Sequence, residues 1–203
     1  MYELLDAMSI KNKNTRTRIL QATLDLLLAQ DGTGTRMSDV AKRAGVSRQA
    51  VYLHFDNRAD LLIATTHYMD DILGSEARLG PSRAAQSGIE RLDAFVLAWG
   101  SYIPEIYGAA KAMITMSSTD SAAADAWGKR MQDMREGCEA AIVALDSDGT
   151  LATCFTADEA TDVLWALLSV SSWEHGTITC GWSQEKYIRM TTTVARRLFY
   201  QER

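Results

Sequence analysis

The sequence lacks the features that mark several classes of protein. Three cysteines, Cys138, Cys154 and Cys180, form no C-x-x-C pair, which argues against a disulfide framework or a zinc site and favours a reducing, cytoplasmic location. Only 2 of the 203 residues are proline and 13 are glycine, so a collagen-like or linker-rich chain is excluded. No apolar run reaches the roughly 18 residues of a transmembrane helix. The first ten residues carry Glu3 and Asp6 but no basic residue, unlike a secretory signal.

Sequence motifs of catalytic and metal-binding sites are also missing. The three histidines are His54, His67 and His175, and none belongs to an H-E-x-x-H motif. The chain contains no G-x-S-x-G nucleophile elbow and no G-x-x-x-x-G-K-[ST] phosphate loop. We therefore predict a protein that is not an enzyme and that has no metal site and no cofactor.

The charge of the chain is distributed unevenly along its length. The composition, 47% apolar and 23% charged residues, is that of a soluble globular protein with a net charge of −5. Residues 11–58 contain nine basic and four acidic side chains, whereas residues 59–203 contain 12 basic and 20 acidic ones. A basic segment on an acidic body indicates a nucleic-acid contact at one end, although many solvated faces that bind no nucleic acid are also locally basic.

Apolar residues recur at helical spacing, and no alternating run of β-branched residues indicates a strand. The predicted fold class is therefore all-α. Asn57 with Asp60, Thr156 with Glu159, and Ser183 are expected to cap helices. The predicted helices cover about residues 17–29, 37–44, 48–54, 58–79, 89–102, 109–116, 121–145, 157–175 and 184–200, with a loop at 80–82 and a break before residue 104.

Residues 39–55 have the pattern of a helix-turn-helix. Two short helices meet at Gly45, which can adopt the positive φ that a tight turn needs. Ser47 is placed to cap the second helix, whose N-terminal end presents Arg48, Gln49 and Ala50. In a helix-turn-helix these positions face base edges in the major groove. Arginine suits guanine, glutamine suits adenine, and a small alanine can touch a thymine methyl group.

Several short motifs within residues 15–65 carry a resemblance to a known family. They are Val40-Ala41, Ala44-Gly45-Val46-Ser47, Val51-Tyr52, His54-Phe55, Asn57-Arg58 and Leu61-Leu62. With these motifs the segment resembles the N-terminal domain of the TetR family of bacterial transcriptional regulators. The resemblance implies a three-helix helix-turn-helix DNA-binding domain over residues 1–57 and a larger helical ligand-binding and dimerisation domain over residues 58–203. It also implies that Tyr52, His54 and Arg58 contact the DNA phosphate backbone.

This sequence departs from the family's pattern at three places. The family usually has a hydroxyl residue at position 36 as a helix cap, so here the cap is expected from Thr35 or Ser38 and Arg36 is free to reach a phosphate. Arg58 stands where lysine is usual, which keeps the positive charge. Gln49-Ala50 replaces a common Gly-Thr pair, so a different operator sequence is expected.

The C-terminal part of the chain has more apolar helical surface than one helix face needs. Residues 163–170 are apolar on more than one side, and a stripe runs along the last helix through Tyr187, Thr191, Val194, Ala195 and Leu198. We predict a homodimer in which the last two long helices of each chain form a four-helix bundle. Packing of these faces within one chain is the alternative.

Large polarizable side chains are concentrated between residues 89 and 173. Such side chains line apolar pockets, although they are also ordinary core residues. A subset is predicted to enclose a small apolar or aromatic ligand, while a cationic ligand would call for an aromatic cage with Glu105 or Glu174. The candidate ligand-binding residues are Trp99, Tyr102, Tyr107, Met113, Met116, Trp127, Met131, Trp165 and Trp173.

Three functions are compatible with these features. The first is a ligand-responsive repressor that binds a palindromic double-stranded DNA operator as a dimer. The second is a helical enzyme or small-molecule carrier that uses the aromatic-rich body, and the absence of an acid–base or nucleophile constellation counts against it. The third is a nucleoid-type protein without sequence preference, for which a basic net charge would be expected. The sequence favours the first, with no membrane partner.

Overall fold

A computed structural model of the chain describes residues 2–29 and 35–202, with side chains from residue 14 onward within these ranges. The described residues form ten α-helices and a π-helical turn, His175–Thr179. The α-helices are α1 (Tyr2–Ala29), α2 (Met37–Ala44), α3 (Arg48–Tyr52), α4 (Arg58–Ile72), α5 (Ser75–Ala84), α6 (Gly88–Ser117), α7 (Ser121–Ser147), α8 (Ala157–Leu167), α9 (Val170–Glu174) and α10 (Gln184–Phe199). Within the described ranges, β-type pairing is limited to an isolated bridge between Leu151 and Tyr200. The predicted all-α class is confirmed.

The described residues divide into two compact units. The first unit comprises those within Met1–Ile72 and Gly108–Arg130, and the second those within Leu73–Tyr107 and Met131–Arg203. The helix-turn-helix thus shares a unit with α4 and with the segment that joins α6 to α7. The functional division after residue 57 stays a prediction.

The first unit has a core built from α1, α2, α3 and α4. Ile19, Val40, Val51 and Leu61 come from these four helices in turn, and all have no exposed surface. Burying a side chain of this size stabilises the fold by roughly 1.5–3 kcal/mol. Helical spacing in each element places the apolar side chains on the inward face, which holds the two short helices against α1 and α4. A second cluster contains Leu27, Leu62, Ala112, Met113, Met116, Ala123 and Ala126.

The predicted break before Pro104 is wrong, because α6 runs without interruption through it. Proline has no N–H to donate to the carbonyl four residues earlier, which belongs to Gly100. The side chain of Gln184 supplies the missing donor, with its Nε2 2.6 Å from the Gly100 oxygen. The Gln184 Oε1 in turn accepts a 2.9 Å hydrogen bond from the Trp173 indole N–H. A contact across the second unit therefore allows the helix to continue.

The predicted single helix over residues 157–175 is also wrong, because α8 ends at Leu167 and α9 begins at Val170. At the break, the indole N–H of Trp99 donates to the carbonyl of Leu168 at 2.7 Å. The Ser169 hydroxyl then accepts from the Ser172 N–H at 3.1 Å and caps α9. The break thus leaves the Leu168 carbonyl and the Ser172 N–H with hydrogen-bond partners.

Two further boundaries differ from the sequence-based prediction. The helix that starts after Asn57 ends at Ile72 rather than near residue 79. A separate helix, α5, follows Gly74, whose φ is 68°, and it includes the predicted loop at 80–82. Glycine adopts this left-handed conformation without the steric cost of a Cβ. The first helix begins at Tyr2 rather than near residue 17.

Candidate nucleic-acid interface

The turn between α2 and α3 has the geometry predicted for a helix-turn-helix. Gly45 has φ 64°, and the N–H of Val46 donates back to the Ala41 carbonyl at 3.0 Å. Arg18 of α1 donates to the carbonyls of Ala44 at 2.5 Å and Gly45 at 3.3 Å. These bonds satisfy carbonyls that the end of α2 leaves without a helical partner. The local sequence predicted the glycine, but it did not predict Arg18.

The recognition helix α3 is capped and oriented by its neighbours. The Ser47 hydroxyl accepts from the Ala50 N–H at 3.1 Å, as predicted for an N-cap. Val51 is fully buried, whereas Arg48 and Gln49 are exposed and Ala50 is half-buried. The helix therefore turns its apolar side to the core and presents its predicted base-reading side chains to solvent.

Exposure falls from the end of α3 to Phe55. Tyr52 is 43% exposed, His54 is half-buried and Phe55 is only 4% exposed. The guanidinium of Arg48 lies 5.6 Å from the centre of the Tyr52 ring, which leaves the Tyr52 hydroxyl at the surface beside a positive charge. Leu53, which the sequence analysis did not single out, is 80% exposed.

Arg36 occupies the N-cap position of α2, but no side chain caps this helix. The prediction that Thr35 or Ser38 provides the cap is therefore wrong. Thr35 is buried, and its carbonyl instead accepts a hydrogen bond from Nε of Arg58. Arg36 itself is exposed, as a phosphate contact requires.

Arg58, at the start of α4, is held by partners within the first unit. Its Nη1 donates to Asp120 Oδ2 in an ion pair, and its Nη2 is buried without a hydrogen-bond partner among the described residues. Asp120 precedes α7, and its Oδ1 accepts from the Ala123 N–H at 3.2 Å. Partial burial works to raise the pKa of Asp120, but the hydrogen bonds from Arg58 and Ala123 outweigh it, so the pKa is lowered.

An open cavity of about 540 Å³ gathers part of the predicted interface. Its lining includes three of the predicted DNA-contacting arginines, Arg36, Arg48 and Arg58, together with Tyr52. One carboxylate, Asp120, also lines it. The cavity thus combines three guanidinium groups and a phenol, which are donors suited to phosphate oxygens, with a single opposing charge.

The same segment matches a known sequence family. The family described as "Bacterial regulatory proteins, tetR family" matches residues 19–65. The uncharacterized HTH-type transcriptional regulator TtgW of Pseudomonas putida is 40% identical over 52 residues, which cover 26% of this chain and 39% of that protein. The chain spans about two fifths or less of the length of the curated relatives it matches.

The fold of nearly the whole chain also has known counterparts. A putative TetR-family transcriptional regulator from Rhodococcus sp. has a TM-score of 0.72 and 21% identity, covering 92% of this chain and 98% of that chain. NalD, described as the secondary repressor of the MexAB-OprM multidrug efflux pump in Pseudomonas aeruginosa, has a TM-score of 0.68 and 20% identity, covering 95% and 98%. Residues 19–65 thus match the TetR-family model, and the fold of the chain is like that of solved structures described as TetR-family regulators.

The predicted ligand-binding residues do not all lie together. Trp99, Tyr102, Tyr107 and Trp173 belong to the second unit, where the Tyr107 and Trp173 rings are 4.9 Å apart. The Tyr107 hydroxyl donates to Glu174 at 3.0 Å. Met131 and Trp165 are half-buried in the same unit. Met113 and Met116 instead belong to a core cluster of the first unit, against which Trp127 packs. Their roles in ligand binding stay predictions.

The described part of the chain has neither a metal-type cluster nor a membrane-spanning helix. Within those residues, no cluster of three or more His, Cys, Asp or Glu side chains could hold a metal ion. None of the described helices is both long and apolar enough to cross a bilayer.

Proposed function

We propose that this chain is a sequence-specific DNA-binding transcriptional regulator of the TetR family. The observation that carries the proposal is the orientation of α3, which exposes Arg48 and Gln49 while Val51 is fully buried. Burial of Val51 holds the helix on the core, and the two exposed side chains are the types that pair with guanine and adenine edges in the major groove. The description of the matched relative TtgW as an HTH-type transcriptional regulator supports the same function.

Phosphate contacts would hold α3 in register on the duplex. Arg36, Tyr52 and Arg58 line the cavity beside α3, and His54 follows α3 by one residue after Leu53. Such contacts carry no base information, but they fix where the base-reading side chains lie. Ser47 and Ala50 complete the proposed interface at the N-terminal end of α3, where Ser47 caps the helix.

The regulator would bind a palindromic operator as a homodimer. Val163 of α8 and Leu198 of α10 are 38% and 36% exposed, and Val194 is half-buried, so apolar surface remains uncovered on both helices. A two-fold dimer places two copies of α3 on half-sites roughly 34–36 Å apart, one turn of the duplex. Other members of the predicted stripe, such as Tyr187 and Ala195, are buried within the chain and belong to its core.

We further propose that the chain is a repressor whose DNA binding responds to a small apolar or aromatic molecule. Support for repression is that NalD, which shares the fold, is described as a repressor. Support for a ligand is the aromatic set of the second unit, where Trp99, Tyr102, Tyr107 and Trp173 are concentrated. A ligand can change operator binding only by its difference in affinity for the two conformations of the protein.

Selection from a pool of random DNA duplexes tests the central proposal. Wild-type protein is expected to enrich a two-fold symmetric site whose half-sites are one helical turn apart. Arg48→Ala should change the enriched half-site. Arg83→Ala removes the same charge from α5, where Arg83 pairs with Glu76 at the surface, and should leave the site unchanged. Failure to enrich any sequence would contradict sequence-specific binding.

A further inference from the structure

Asp120 is an acidic side chain in a cavity otherwise suited to phosphate. It lines the cavity together with Arg36, Arg48 and Arg58, and it forms an ion pair with Arg58. The carboxylate neutralises the guanidinium that the proposed interface would offer to DNA. An acid at this place also repels an approaching phosphate, since the two negative charges would share one small region.

The hydrogen bonds of Arg58 show what it must exchange to bind a phosphate. Nε donates to the Thr35 carbonyl, Nη1 donates to Asp120, and Nη2 is buried with no acceptor among the described residues. The side chain as a whole is only 20% exposed. To give a phosphate the hydrogen bonds that now go to Thr35 and Asp120, the guanidinium must move away from Asp120.

Asp120 is anchored independently of Arg58. Its Oδ1 accepts from the Ala123 N–H at 3.2 Å, and its carbonyl accepts from the Ala124 N–H at 2.9 Å, so it is the N-cap of α7. The carboxylate would stay in place when Arg58 leaves. Asparagine and serine are equally good N-caps, so each can replace Asp120 without removing the cap.

We propose that Asp120 competes with DNA phosphate for Arg58 and so lowers the affinity of the protein for DNA. In the free protein Arg58 pairs with Asp120, and in the complex Arg58 moves to a phosphate and leaves the carboxylate without its ion-pair partner. Asp120 is thus a positioning residue that acts through Arg58. This inference rests on the proposed DNA binding and deepens it.

Fluorescence anisotropy with a labelled duplex of random sequence tests the exchange without knowledge of the operator. Asp120→Asn is expected to tighten binding about tenfold at low salt, the size of one charge-assisted hydrogen bond. The plot of log K against log salt concentration should steepen by about one. Asp125→Asn is the matched control, because it removes the same charge from an exposed site further along α7 and should change affinity less than twofold.

A double-mutant cycle separates exchange from a general effect of charge. Arg58→Ala should weaken DNA binding of the wild type about threefold, since the phosphate contact is partly offset by the lost ion pair. In the Asp120→Asn background the same substitution should weaken binding about tenfold. Asp120→Ser, a second neutral cap, should reproduce Asp120→Asn, and circular dichroism should show unchanged helix content in every variant.

The outcomes distinguish this inference from the proposed function. The competition would be overturned if Asp120→Asn and Asp125→Asn bound DNA equally well. It would also be overturned if Arg58→Ala had the same effect in the wild type and in Asp120→Asn. Either result would leave the proposed DNA binding intact. Absence of binding to any duplex by both the wild type and Asp120→Asn would overturn both proposals.

Discussion

The continuous helix α6 depends on a side chain from α10, and this dependence can be measured. Gln184 bridges two groups in the second unit: it donates to the Gly100 carbonyl, which Pro104 leaves without a partner, and it accepts from the Trp173 indole. Gln184→Leu keeps a similar volume but removes both hydrogen bonds. Gly100 and Trp173 are buried, so water cannot readily replace the lost partners.

The expected loss follows from the number of groups left without partners. Each buried donor or acceptor that loses its partner costs about 1–3 kcal/mol, so Gln184→Leu, which affects two of them, should lower the free energy of unfolding by about 2–6 kcal/mol. Pro104→Ala restores an N–H that can donate to the Gly100 carbonyl within α6. In that background Gln184→Leu should cost about 1–2 kcal/mol less, because only the Trp173 indole then lacks a partner.

Urea denaturation followed by far-ultraviolet circular dichroism gives the four free energies of this cycle. Gln132→Leu is the control, since Gln132 is exposed on α7 and its substitution should change stability by no more than about 0.5 kcal/mol. If the effects of Gln184→Leu and Pro104→Ala simply add, the two residues do not share the Gly100 carbonyl and the explanation of the continuous helix is wrong.

Three further predictions concern the proposed function. Arg48→Ala and Gln49→Ala should each weaken operator binding by about 1–3 kcal/mol and relax base preference in a competition gel shift. The control Arg83→Ala should change neither the affinity nor the preference. If Arg48→Ala keeps the base preference of the wild type, Arg48 does not read bases. Val163→Asp or Leu198→Asp should give a monomer in sedimentation, since each charge would enter the proposed apolar interface. A wild type that sediments as a monomer at micromolar concentration would refute the dimer. An apolar ligand should alter tryptophan emission and raise the melting temperature, and a broad panel of compounds with neither effect would argue against a ligand site.

Local chemistry explains why much of the DNA-binding segment could be predicted from the sequence. The Ser47 cap, the Asn57–Asp60 hydrogen bonds and the positive φ of Gly45 involve groups within a few residues of one another. Such interactions are determined by residue type and spacing, so the pattern of residues is enough to find them. The capping box at Thr156 was predictable for the same reason.

Interactions between distant parts of the chain could not be predicted in this way. Arg58 and Asp120 are 62 residues apart, and Gly100 and Gln184 are 84 apart. No local pattern marks Asp120 as a partner of the interface or predicts that a helix can pass through Pro104. These outcomes depend on which side chains the folded chain brings within hydrogen-bonding distance.

The sequence by itself determined the helical class, the helix-turn-helix and the side chains at the start of α3, because helical periodicity and capping are local properties. Only the tertiary structure decided which apolar residues are core. Leu168 and Val163 belong to the same apolar run, yet Leu168 has no exposed surface and Val163 is 38% exposed. A charge at Leu168 would therefore disrupt the core, whereas one at Val163 tests the proposed dimer. Hydrophobicity shows that a side chain avoids water, but the packing of neighbouring helices determines what covers it.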